Sequence, residues 1–123
     1  RDSYQMIFET AQKLGAFILV SGILPEDPAR KKIVSTAMHE CLTNTIRHAS
    51  GDTLYVTLEN VGKTLLVTIT DNGKNTIRTM NERGGLASLG SLVEDSSGEM
   101  SVSSEKGFKL TIRLPEEKTE DAI

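Results

Sequence analysis

The sequence predicts a two-layer α/β sandwich, with helices covering one face of a sheet. Three observations predict it. Leu54, Val56 and Leu58, and then Leu65, Val67 and Ile69, alternate with more polar neighbours, the period-2 pattern of strands with one buried face. Other segments carry apolar residues at helical spacing and interrupt the strands, so they must cover the apolar sheet face. The length of 123 residues, with 37% hydrophobic and 25% charged residues, supports one compact core and not two.

Each element can be justified in turn. Met6, Ile7, Ala11 and Leu14 lie near helical spacing within Ser3–Leu14, and Gly15 is a natural stop. Ala16–Val20 is a short apolar run with β-branched residues and reads as a buried strand. Ser21-Gly22 and Leu24-Pro25 break it. Asp27 is suited to cap the next helix and Pro28 to occupy its first turn. That central helix extends to about His48, and Ser50-Gly51-Asp52 ends it. The two alternating strands follow, joined by a hairpin turn at Asn60–Lys63. Asp71–Arg83 is polar and weakly periodic, hence a loop with at most one short helical turn. Leu86, Leu89, Leu92 and Val93 predict a helix to Glu94, closed by Ser96-Ser97-Gly98. Met100 and Val102, then Leu110, Ile112 and Leu114, predict a last strand pair around Glu105-Lys106-Gly107. Residues 1–115 read as the domain and 116–123 as a charged, frayed tail.

Composition excludes several function classes. The net charge of −3 and the absence of Trp argue against broad nucleic-acid binding or a base-stacking platform. The single cysteine, Cys41, cannot form an internal disulfide and reads as a small buried thiol in a reducing compartment. No apolar run approaches the roughly 20 residues that cross a bilayer, and the first residues do not read as a signal peptide. The first residue is Arg1, which reads as a piece of a longer protein.

The stretch His39–Ala49 carries the chemistry. A helix turns about 100° per residue, so Glu40, Asn44, Arg47 and His48 share one side. Val34, Met38, Cys41, Leu42 and Thr45 form the adjoining apolar arc. Carboxylate, carboxamide, guanidinium and imidazole thus line the edge of a buried face, a setting for a charged ligand. Read alone, the same row is equally a solvated face with a few ion pairs. A zinc-protease motif is excluded, because Thr43 stands where the second His would be.

Three later stretches join this row. Asp71-Asn72-Gly73 closes a strand, Gly84-Gly85-Leu86 opens a helix, and Leu114-Pro115 ends the last strand. In this order the set resembles the ATP-binding catalytic domain of sensor histidine kinases. These belong with gyrase, MutL and the Hsp90 chaperones to the GHKL, or Bergerat-fold, ATPases. The resemblance covers about Tyr4 to Pro115 and implies a mixed sheet with helices on one face and an ATP lid.

It also implies roles. Asn44 would hold Mg²⁺ through its side-chain oxygen, and Glu40 would order a metal-bound water or assist proton movement. Arg47 and His48 would lie near the phosphates. Asp71 would accept a hydrogen bond from the adenine amino group, and Gly73 would let the backbone pass close to the purine. Gly84, Gly85 and Leu86 would present backbone N–H groups to phosphate at a helix start, with residues between Asp71 and Gly84 as the lid. Mg²⁺ prefers oxygen ligands and keeps several waters, and guanidinium suits phosphate geometry. Three positions depart from the family pattern: Asn75 and Arg83 stand where glycines are usual, and Lys109 where Thr is common.

The resemblance further implies cofactors ATP and Mg²⁺, and a phosphoacceptor histidine on an upstream dimerisation domain. A response regulator would be an indirect partner. It implies a cytoplasmic location without membrane insertion by this fragment, whatever anchor the whole protein carries. Two rivals stand beside it: an anti-sigma-factor serine kinase of the same fold, and a non-catalytic module that only contacts a partner protein.

Overall fold

The computed structural model describes residues 2–74 and 85–116. The chain runs α1 (Ser3–Lys13), β1 (Phe17–Ser21), α2 (Pro28–His48), β2 (Thr53–Val61), β3 (Thr64–Asp71), α3 (Gly85–Asp95), β4 (Glu99–Ser103) and β5 (Lys109–Pro115). The strands form one five-stranded sheet in the order β1-β2-β3-β5-β4. β1 pairs parallel to β2, and every other neighbour is antiparallel, so the sheet is mixed. The parallel pair needs a crossover, and α2 supplies it.

The local signals act as read. Asp27 caps α2 by accepting from the Arg30 N–H at 3.0 Å, with Pro28 in the first turn. Asp2 caps α1 by accepting from Tyr4 N–H. Gly15, at φ 69°, follows the end of α1. The β2–β3 turn is tighter than Asn60–Lys63: the strands pair up to Val61 and Thr64, leaving Gly62 and Lys63 at the bend.

The core lies between the helices and one sheet face. Val34, Ala37, Met38, Cys41 and Leu42 of α2 meet Leu54, Val56, Val67, Ile69, Leu110 and Ile112, all buried. Cys41 is a free, buried thiol. At the far end, the Tyr4 hydroxyl donates to the Pro25 carbonyl while the Lys31 ammonium sits 5.3 Å from its ring centroid. Burial pushes the Tyr4 phenol above its usual range, and Glu26, Asp2 and Asp27 push the same way. This cluster ties α1 to the start of α2.

One strand differs from the sequence reading. Ala16–Val20 was expected to be buried, yet β1 is an edge strand with Phe17 61% and Leu19 54% exposed. Only Ile18 and Val20 turn toward the core. The helices cover one face of the sheet, so alternate residues of an unbroken apolar run must face outward.

Candidate active site

The burial of α2 positions its polar row. The apolar arc of Val34, Met38, Cys41, Leu42 and Thr45 is fully buried. One step around the helix, Glu40 and Asn44 are half-buried, and Arg47 and His48 are exposed in the last turn. A cationic group in the last turn of a helix lies where its dipole is negative.

The first junction joins α2 to α3. A Cβ added to Gly85 would lie 1.8 Å from Glu40 Cδ and 2.0 and 2.1 Å from its carboxylate oxygens. The carboxylate therefore rests directly on the Gly85 Cα, at the first residue of α3. The N-terminal end of a helix carries partial positive charge and unpaired N–H groups, which favour an anion there. His39 Nδ1 stands 3.7 Å from Glu40 Oε1. As the chain neighbour of Glu40 it adds, when protonated, a positive charge to the same carboxylate.

The second junction joins the end of β3 to the end of α2. Gly73 N–H donates to Asp71 Oδ1 at 2.8 Å, which folds the turn around the half-buried carboxylate. Asn72 Oδ1 accepts from the N–H groups of Asp52 and Thr53, each at 3.0 Å. Its Nδ2 donates to Asp52 Oδ1 at 2.8 Å. Lys74 N–H donates to the Ala49 carbonyl at 2.8 Å, just past the end of α2. Donation from Asn72, then from Thr53, holds the Asp52 carboxyl below the usual carboxylate range. Asn72 and Asp52 are thus the latch that ties the Asp71 turn to the loop after α2. Both looked like ordinary turn residues in the sequence, and only the pairing of the two turns distinguishes them.

The expected site residues are distributed as follows. Glu40 and Gly85 are brought into contact, Asn44, Arg47 and His48 continue the same helix face, and Asp71 and Gly73 form the latched turn. Leu86 is a core residue, 8% exposed, so only its backbone is placed to meet a ligand. Gly84, the departures Asn75 and Arg83, and the expected lid from residue 75 onward lie outside the described residues. Lys109 lines a cavity of about 240 Å³ together with Thr70, Asp71, Glu105, Lys106 and Phe108. A larger cavity of about 340 Å³, lined by Asp27, Arg30, Asp95 and Pro115, opens at the opposite end of α2 and contains none of the polar row.

Among the described residues, no three His, Cys, Asp or Glu side chains cluster as a metal cage. Glu40 and Asn44 offer one carboxylate and one carboxamide oxygen a helical turn apart. That set is too small to hold a hard divalent ion alone. It fits Mg²⁺ when phosphate oxygens and waters complete the shell. The arrangement can therefore bind an anionic ligand at the start of α3, orient it with a carboxamide, and place a carboxylate beside it.

The family described as histidine kinase-, DNA gyrase B-, and HSP90-like ATPase matches residues 30–118. No curated protein sequence matches the chain. Among solved structures, the Acinetobacter baumannii histidine kinase AdeS is similar with a TM-score of 0.68 at 17% identity, over 94% of this chain and 64% of that one. The blue-light activated histidine kinase EL346 of Erythrobacter litoralis is similar with a TM-score of 0.68 at 21% identity, over 92% of this chain and 42% of that one. The histidine kinase domain of the same protein matches over 90% of this chain and 60% of that one. At these identities the structures share the fold, a mixed α/β sandwich, and this chain spans less than two thirds of their length.

Proposed function

This chain belongs to the histidine kinase-, DNA gyrase B-, and HSP90-like ATPases, and from that premise we propose that it is the Mg-ATP-binding catalytic domain of a two-component sensor histidine kinase. It donates the γ-phosphoryl group of ATP to a histidine on an upstream dimerisation domain, and a response regulator receives it afterwards. The observation that carries the reading is the meeting of Glu40, from the polar row of α2, with Gly85 at the start of α3. The Asp71 turn is latched to the loop that follows α2. Three segments distant in sequence each carry a group suited to a different part of ATP, and that supports the reading.

The roles follow from chemistry. Asp71 accepts from the purine amino group. Asn44 supplies an oxygen to Mg²⁺, whose charge offsets that of the phosphates. Arg47 and His48 face the phosphate end, and the backbone N–H groups at the start of α3 meet phosphate oxygens. Glu40 takes up the proton released as the acceptor imidazole attacks. Rate enhancement in phosphoryl transfer comes mainly from positioning and charge neutralisation. The histidine kinases resembled here are longer than this chain, which leaves length for a phosphoacceptor domain. No helix among the described residues is long and apolar enough to cross a membrane. The ATP reading puts the domain on the cytoplasmic side, where ATP is supplied.

Calorimetric titration with a non-hydrolysable ATP analogue and Mg²⁺ tests the reading. Saturable binding is expected, lost in both Asn44→Ala and Asp71→Asn. Absence of binding at millimolar nucleotide would instead leave a module that only contacts a partner protein.

A further inference from the structure

Sheet edges are usually blunted by charged side chains, proline or a bulge, because an open edge pairs with other strands. The β4 edge opens on the charged Glu99 and carries Ser101 and Ser103. The β1 edge, Phe17-Ile18-Leu19-Val20-Ser21, has no charge and no proline, and its register with β2 runs without a bulge. The Phe17 N–H donates to the Asp52 carbonyl at 2.8 Å. Backbone groups alternate in direction along a strand, so Phe17, Leu19 and Ser21 bond toward β2. Ile18 and Val20 therefore turn their N–H and C=O outward, where no described strand meets them. Exposed apolar side chains gather at the same edge: Phe8 on α1, Phe17 and Leu19, Ile23 just past β1, and Tyr55 on β2. Ile23 is 87% exposed. A cavity of about 340 Å³ opens beside β1 between Phe8, Gln12, Gly15 and Phe17, and no charged residue lines it.

We propose that β1 is the interface for a second copy of this chain, paired antiparallel across a two-fold axis at Leu19. In the register that uses all five residues, Leu19 faces Leu19 of the second copy and Phe17 faces Ser21. Ile18 exchanges both of its outward hydrogen bonds with Val20 of the second copy, and the two sheets become one. A two-fold axis sets a strand against itself, so any charge near the axis would meet its like, and this strand has none. Counted along the same register, Ile23 of one copy falls opposite Gly15 of the other, where the cavity lies. Knob and hole are thus both on this chain, as an isologous contact requires. A standard interface takes about 800 Å² from each partner, about a tenth of the 7902 Å² that this chain exposes. Ile23 and the α1 flank at Phe8 and Gln12 extend the strand ladder toward that area. The proposal goes beyond the nucleotide reading and does not depend on it.

Sedimentation velocity of this chain over a concentration series tests the proposal, and disulfide trapping reads the register. The wild type is expected to pass from monomer to dimer as concentration rises. Ile23→Asp and Leu19→Lys alter exposed side chains, so both variants should fold, and each is expected to weaken association at least about tenfold. Directly opposed residues of a non-hydrogen-bonded antiparallel pair have Cα atoms about 4.5 Å apart, within disulfide reach. Leu19→Cys should therefore give a disulfide-linked dimer on mild oxidation. Phe17→Cys should not, because four residues along the ladder separate it from its own copy by about 14 Å. The wild type, whose single cysteine is the buried Cys41, is the control without a cross-link. A chain that stays monomeric at every concentration overturns the proposal, even if its β1 edge captures an extended peptide instead. Dimers that survive either Ile23→Asp or Leu19→Lys, or equal cross-linking at positions 17 and 19, overturn it as well.

Discussion

Gly85→Ala is the sharpest test of how the site is assembled. The new methyl would be placed 1.8 Å from Glu40 Cδ and 2.0 and 2.1 Å from the two carboxylate oxygens, whereas real Cβ contacts essentially never fall below 3.0 Å. Glu40 must therefore retreat by more than an ångström. The group that yields is the end of a flexible, half-buried side chain, so the fold is expected to lose less than about 1 kcal/mol. The chemistry is not expected to be spared. Misplacing a catalytic group by about 1 Å costs on the order of 100-fold in rate, within the range of about 10²–10⁴ attributed to a positioned acid or base. The assay is transfer of labelled γ-phosphate within the full-length protein, paired with calorimetric ATP affinity and a thermal melt of this domain. The expected pattern is a turnover about 100-fold lower, near-native affinity and a near-native melting temperature. A variant that binds ATP normally and turns over within about threefold of wild type would refute the claim that Gly85 exists to seat Glu40. A collapse in melting temperature would refute the claim that the side chain yields.

Two further perturbations address the latch. Gly51→Ala places a methyl 2.1 Å from Thr45 Oγ1 and 2.9 Å from the Gly73 backbone nitrogen. Backbone must shift there, so a loss of about 1–3 kcal/mol is expected, read as a fall in thermal midpoint of about 5 °C or more. The pH prediction concerns Asp52, whose carboxyl pKa is lowered chiefly by donation from Asn72 and next by Thr53. A depressed folded pKa contributes stability above the unfolded value of about 3.9, lost as pH falls through the folded pKa. Urea melts from pH 6 to pH 2 should therefore show a shallower acid decline in Asp52→Asn than in wild type. An unchanged slope would mean that the Asn72–Asp52 bond contributes nothing in solution.

Patterns within one element determined much of this protein before any packing was known. Apolar alternation marked β2 and β3, and helical spacing marked α2 and α3. Asp27 with Pro28, and Gly15, set helix ends, because capping and backbone freedom act over a few residues. The α2 row of Glu40, Asn44, Arg47 and His48 was legible for the same reason, since helical geometry alone puts those positions on one side. Tertiary structure decided what such periodicities cannot carry. Whether Phe17 and Leu19 are buried depends on whether anything covers their face of the sheet, and the helices pack on the opposite face, where Ile18 and Val20 point. The contact of Glu40 with Gly85, the grip of Asn72 on Asp52, and the turn of the Thr45 hydroxyl toward Gly51 join residues from different elements. Such contacts depend on how faces pack and which donors they leave unmet, so they arise only once the helices are laid on the sheet.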